Sequence, residues 1–353
     1  MNYFVLGYYA LLIGTSCAAA YYGRRGAFMT LFSLTLISFV VGIVGGESAL
    51  WTITLCAGTL ALSAGTAYAF REFLVNIAGK ETAKTLRTAP LTASFGMFVI
   101  FTYAVMGIFA PMIAPYGEAE VIASAFAPAD ENMLLGADQL GRDMLSRIVY
   151  GARNTVGLAL AATLLAFFMG AFAGLFAATK GGNLDQAMGR VADVIMSIPS
   201  LIFALLLLSI FGTNLIVLVI IVAIIYAPRV FRLTRAVAGN VVVMDYIEAA
   251  RLRGEGDLYL IRKEILPNST APLIAEFGLE FCFVFLLIAG LSFLGLGIQP
   301  PTADWGSMVR ENATLISFGE MTPLIPAGAI ALLTVAVNFV VDWMLWRSAG
   351  IKE

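Results

Sequence analysis

The chain has 353 residues, 60% of them hydrophobic and 12% charged, with a net charge of −2 and a mean hydropathy of +0.90. That balance excludes a soluble domain: apolar runs of about 18 or more residues recur along the whole length, as membrane-crossing helices require, and the polar–apolar alternation of a membrane barrel is absent. The slight negative charge offers no electrostatic case for nucleic-acid binding, and the absence of His removes the commonest general base and metal ligand.

In chain order, three spans are predicted early, at about 3–22, 27–45 and 49–70. The first, Tyr3–Tyr21, lacks a basic n-region and reads as a retained span, not a cleaved signal. GTSC at 14–17 lacks the Leu that a lipoprotein box places three residues before its Cys. Cys17, Cys56 and Cys282 all lie in apolar runs without a C-x-x-C pair and read as small buried hydrophobes. A polar stretch at 71–90, REFLVNIAGKETAKTLRTAP, then separates an N-terminal extension, 1–89, from a core, 90–353. Within that stretch, 71–87 has the composition of an amphipathic linker lying on an anionic membrane surface. The core has six predicted spans, at about 92–115, 154–178, 191–211, 213–231, 271–294 and 323–346. The fold class is an all-α polytopic membrane protein.

Basic residues orient it. With the N-terminus outside and the C-terminus inside, all but Arg142, Arg147, Arg153 and Arg310 of the 21 Lys and Arg fall on the inner side. The segment EAARLRGEGDLYLIRKEILPN (248–268), unusually dense in charge, is then cytoplasmic. Read locally it is helix, turn, helix. The run from Asp245 has good helix formers, and Gly254-Glu-Gly256 breaks it. Asp257 caps a second helix, Leu258–Ile265, and Pro267 stops that one. Ala250 and Gly254 share a face with Ile247, small enough for a groove wall to come close. A docking helix and an ordinary solvated loop both fit this pattern.

Glu248-Ala249-Ala250, Gly254 and Leu266-Pro267 are spaced as in the EAA loop of ABC-importer permeases, which the segment resembles. Glu264 stands where Ile is usual, and the peptide-type branch often has a polar residue there. Three further stretches are similar to that peptide and nickel branch: LLGADQLGRDMLSRIVYGAR (134–153), with Ala137 where Thr is usual; ADVIMSIPSLIFALLL (192–207); and LSFLGLGIQPPTADWGSM (291–308). The resemblance covers about 92–348, and the motifs arrive in the family's order.

The resemblance implies a six-span permease core with an EAA loop at about 232–268 and a periplasmic segment at about 116–153. The chain would form half of a translocation path for peptides or similar small solutes in the bacterial inner membrane. Its partners would be a second homologous permease, two ABC ATPase subunits, a periplasmic or lipid-anchored substrate-binding protein, and the lipid bilayer, with no nucleic acid. Asp245, Glu248, Ala249, Ala250 and Gly254 would engage an ATPase, with Leu266 and Pro267 setting the re-entry angle of the next span. ATP and Mg would sit on those ATPase chains, and this chain would bind no cofactor or metal. Its own nearest approach to a phosphate loop, AGKET at 78–82, lacks the upstream Gly and has Glu where Ser or Thr is needed. With no nucleophile–base pair either, no catalytic residue is expected.

Several residues have two readings each. Asp138, Arg142, Asp143 and Arg147 form either a salt-bridged periplasmic cap that meets the binding protein or a folded turn. Glu276 and Glu280, one turn apart and two to three turns from the cytoplasmic interface, suit a water-filled or protein-protected site facing the partner permease. The family commonly has a Glu shortly before L-S-F-L-G; Ile288 stands there. Pro199 would kink its span, in a moving pore or a static bundle alike. Asp193 is interfacial, and Asp342 lies with Trp343 and Trp346 in an interface belt. Two other classes stay open: an ion-coupled secondary carrier using Glu276, Glu280 and Asp342, and a non-transporting scaffold on a permease core. Substrate identity is not legible.

Overall fold

The structure, a computed structural model, describes residues 64–65, 67–77, 80–130, 132–318 and 322–348. The first two predicted spans and most of the third lie outside these residues. By their internal contacts the residues fall into two units, Met1–Phe98 and Val99–Glu353.

In the first unit, the helical residues 67–77 carry Arg71, whose guanidinium lies over the Tyr68 ring and donates to the Ala89 carbonyl (3.2 Å). The polar sequence KETAKTLR forms a short helix, α1 (Lys80–Arg87).

The second unit is built from long apolar helices. Helix α2 (Leu91–Ile108) starts in the first unit and enters it; a short turn, α3 (Ala110–Ile113), follows. A loop leads to α4 (Met144–Gly151), which passes through a π turn at Ala152–Val156 into α5 (Gly157–Lys180). Two helices bent by 85° come next, α6 (Gly182–Met196) and α7 (Ser200–Phe211), then α8 (Leu215–Val242) and the short α9 (Asp245–Leu252). One turn, α10 (Asp257–Tyr259), and a π turn at Leu260–Ile265 run into α11 (Leu266–Phe293). The unit closes with α12 (Trp305–Asn312), a 3₁₀ stretch at Ala313–Phe318, and α13 (Leu324–Ser348). Among the described residues five helical segments are long and apolar enough to cross a membrane, six if the bent pair counts as one.

The organising contact is the crossing of α5 and α8. The buried face of α5 is a stripe of small residues at helical spacing: Ala159, Ala162, Ala166, Gly170, Gly174 and Ala177. A Cβ at Gly170 would lie 2.4 Å from the Ala227 carbonyl, and one at Gly174 2.8 Å from that of Phe231. The backbones therefore approach as closely as glycine permits, the usual way for helices to gain dispersion energy where lipid is as apolar as the core.

Four expectations change here. The span expected to end near 231 continues to Val242, so Arg232 and Arg235 sit on the helix and not in the EAA loop. They reach Asp193 and Asp185 on α6, which keeps their heads satisfied while their stems lie on apolar surface. The span expected from 271 begins far earlier, because Pro267 does not stop it. Pro267 lies in the first turn of α11, and the preceding π turn bonds the Leu266 N–H to the Ile261 carbonyl five residues back, accommodating a residue with no N–H to donate. Pro199 does not kink a continuous span: it is the exposed N-cap of α7, at the break between the bent helices. Asp257 is the first residue of its helix, and Gly256 occupies the cap position.

Replacing Gly174 with Leu should lower the stability of the detergent-solubilised protein by about 2 kcal/mol or more, as overpacking does. Thermal unfolding against Gly157→Ala, where a Cβ meets nothing within 4 Å, is the check.

Candidate functional site

The EAA segment is a rigid wedge at one end of the bundle. Helix α9 ends in a Schellman motif: the Glu255 N–H bonds the Ala250 carbonyl (3.2 Å) and the Gly254 N–H bonds that of Arg251 (2.9 Å). Gly254 supplies the required left-handed backbone, φ +86°. Ile247 and Ala250 are fully buried and form one cluster with Leu175, Ala238, Leu260, Ile261 and Ile265. Of the small-residue face expected to admit another chain, Ile247 and Ala250 are thus covered by this chain's own α5, α8 and π turn, while Gly254 stays exposed. Two charged contacts pin the wedge to the end of α5. Arg251 donates to the Thr179 carbonyl (3.0 Å), a cation on a helix C-terminus, and Asp257 pairs with Lys180.

The outer face of α9 stays open. Asp245, Tyr246, Glu248, Ala249 and Leu252 are exposed, Leu252 at 83%, and Val243 and Met244 beside them are exposed too. Leu266 and Pro267 are exposed at the start of α11. Glu264 is half-buried, and its carbonyl accepts from the Asn268 amide (2.6 Å).

The opposite end carries a buried ionic lattice. Asp138 accepts from Arg142 Nε (2.7 Å) and lies 3.2 Å from Arg147 Nε. Glu311 accepts from Nη2 of both arginines, at 3.0 and 3.3 Å. Arg147 also donates to the Glu118 carbonyl (3.1 Å), and all four predicted cap residues are at most 2% exposed. Asp143 stands apart from the lattice as the N-cap of α4, accepting from the Ser146 amide (2.7 Å) and hydroxyl (2.6 Å). Next to it, Trp305 lies on Gly151 and donates to the Ile148 carbonyl (3.0 Å). Asp304 accepts from the Thr155 hydroxyl (2.8 Å) and the Ser307 amide (2.8 Å). Burial pushes the Asp304 carboxyl up, opposed by hydrogen bonds from Ser307, Thr155 and Ser292. These are not exposed pairs, as the sequence suggested, but a fixed core of the segment. Sequence reasoning missed Glu118 and Glu311, which sit far along the chain from the arginines they serve, and Asp304, which sits far from Thr155; an excess of Arg over local Asp was the available signal for the first two.

Glu276 and Glu280 lie in the middle of α11, not near its start, because the helix begins so early. Glu280 is buried (2% exposed), Glu276 half-buried. Arg229 of α8 faces the same stretch of α11. Its guanidinium stands over the rings of Tyr226 (5.2 Å) and Phe283 (5.1 Å). Sequence reasoning counted Arg229 only as a loop charge, although it lies within the apolar run IVAIIYAPRVF.

Long apolar helices around a close-packed pair, with a rigid charged wedge at one end and a locked ionic segment at the other, define a membrane transport component. Residues 170–346 match the family described as the binding-protein-dependent transport system inner membrane component. The chain is 35% identical over 254 residues to a di/tripeptide transport system permease protein of Pseudomonas aeruginosa, covering 70% of this chain and 84% of the relative. It is 34% identical to a dipeptide transport system permease protein of Haemophilus influenzae (71% and 87% covered) and 32% identical to a peptide transport system permease protein of Escherichia coli (74% and 93%). The chain belongs to the family of inner-membrane permease components of binding-protein-dependent ABC importers. It is a multi-pass inner-membrane transport subunit and not an enzyme; it works with ATPase and substrate-binding components, and ATP hydrolysis lies in separate subunits.

Removing the Glu311 carboxylate with Glu311→Ala leaves Arg142 and Arg147 short of a counter-charge and should destabilise the protein by about 3–5 kcal/mol. Asp193→Ala, which breaks an exposed pair with Arg232, should shift stability by less than about 1 kcal/mol. Thermal unfolding of the two variants side by side tests the contrast.

Proposed function

We propose that this chain forms half of a peptide translocation path and that cytoplasmic ATPase subunits move it through α9. One observation carries the coupling role. The outer face of α9 presents Glu248, Ala249 and Leu252, while Ile247 and Ala250 anchor its inner face among buried residues of the same chain. A push on the outer face must therefore displace α5, α8 and α11, since a close-packed base transmits strain and does not absorb it. In this role Glu248 and Ala249 meet the partner, Asp245 favours the helix N-terminus, and Ala250 and Gly254 hold the wedge in shape. Leu266 and Pro267 continue its thrust into α11.

The basic residues put the α9 end and the C-terminus in the cytoplasm and the N-terminus in the periplasm. The Asp138, Arg142 and Arg147 lattice then stiffens a periplasmic segment that receives a binding protein. The full assembly has a second homologous permease and two ATPases, which hold ATP and Mg, with substrate moving by alternating access. A peptide substrate is supported by the names of the relatives. Residues 1–89 add an extension of about three spans to the core at 90–353.

Glu248→Lys should leave the protein folded yet weaken its association with the ATPase subunits about tenfold or more, a buried like-charge contact being costly. Gly254→Trp, forced into a left-handed backbone, should abolish binding-protein-stimulated ATP hydrolysis. Normal association and normal stimulated hydrolysis in both variants would refute the coupling role. Co-purification and hydrolysis assays on the assembled importer give the readout.

A further inference from the structure

Three ionisable groups lie deep in the spans with open hydrogen-bonding valence. Arg229 is the fifteenth residue of the 28-residue α8, and Glu280 the fifteenth of the 28-residue α11. The helices run in opposite directions, so at 1.5 Å per residue both groups lie roughly 20 Å in from the α9 end, with Glu276 about one turn shallower. Among the described residues the Arg229 guanidinium has aromatic faces but no carboxylate or carbonyl partner. Glu280 is 2% exposed, and its Oε2 is buried without a hydrogen-bond partner. The neighbouring phenol is already committed: the Tyr226 hydroxyl donates to the Phe283 carbonyl (3.1 Å).

Charges at this depth are expensive unless they face water, a protein partner or a charged cargo. Among the described residues Arg229 closes no salt bridge with Glu276 or Glu280; its guanidinium is held on two rings, one of them Phe283 on the same helix as both acids. Helix α7, which begins at the 85° break after α6, packs against both α8 and α11.

We propose that Arg229, Glu276 and Glu280 form a passage site for the charged ends of a peptide main chain. Glu276 and Glu280 accept the terminal ammonium, and Arg229 donates to the terminal carboxylate with its fork. The cation–π seat keeps the guanidinium charged and turned away from the acids until cargo arrives. This inference rests on the peptide-importer reading above and adds the recognised chemical groups.

The test uses the complete importer in proteoliposomes, with its partner permease, ATPases and binding protein, and follows radiolabelled dialanine uptake together with ATP hydrolysis. Glu280→Gln, Glu276→Gln and Arg229→Gln keep shape and remove charge. Each should lower uptake about tenfold or more, the worth of a charge-assisted hydrogen bond, while stimulated hydrolysis stays within about twofold. Glu280→Asp and Arg229→Lys should recover part of the uptake. Wild-type-like uptake in the three Gln variants overturns the site. Parallel loss of uptake and hydrolysis overturns it too, because it assigns the residues to coupling. Loss of the partner permease from Glu276→Gln complexes on size exclusion would make the groups an interface and also overturn it. A wild-type importer that hydrolyses ATP but takes up no peptide refutes the peptide reading itself, a separate result.

Discussion

The close crossing of α5 and α8 is the constraint on which the rest depends. Gly170 and Gly174 bring α5 against the carbonyls of Ala227 and Phe231, and both ends of the molecule are mounted on the resulting rod. At its C-terminal end Leu175, Thr179 and Lys180 hold the wedge through packing, the Arg251 hydrogen bond and the Asp257 pair. At the other end the π turn before α5 supplies Thr155, which ties down Asp304 and Trp305. A helix of 24 residues spans about 36 Å. One stiff element thus reaches from the α9 end to the segment on the far side.

Charge is handled in three ways along this rod. At the end away from α9, Asp138, Glu311, Arg142 and Arg147 are buried and paired in charge, which makes a rigid but fragile block. Near the α9 end, Arg232 makes a largely exposed pair that shifts easily and contributes little. In between, Arg229 and Glu280 are neither exposed nor closed on each other. The order is one of decreasing constraint: fixed charge at the end away from α9, loose charge near α9, and open valence between them.

Much of this architecture is legible in the sequence, for physical reasons that differ by region. Span number in the core and the helix–turn–helix at 245–265 follow from local hydropathy and the Gly254 break. The ends of spans were misjudged wherever a helix crosses a rule that normally ends it. Pro267 is carried by a π turn, and Arg232 and Arg235 are carried by acids on α6 that are 39 to 50 residues away. Burial of Ala250 was read backwards because a small apolar face looks the same whether its cover is a partner or the same chain. Glu118 and Glu311 could not be placed at all, since only the fold brings them to Arg147.

The mounting of α9 also constrains how the molecule can move. Had α9 hung on a loop, a motor could swing it without disturbing the spans. Its inner face is instead shared with α5, α8 and the π turn before α11, so the wedge is packed as one body with them. The compliant points are then the places away from that cluster where helical hydrogen bonding is interrupted: the α6–α7 break at Pro199 and the π turn at 152–156. Both border the rod and neither lies within it. A force applied at α9 would therefore be carried into the α5–α8 crossing, with the α6–α7 break as the nearest flexible point beside it.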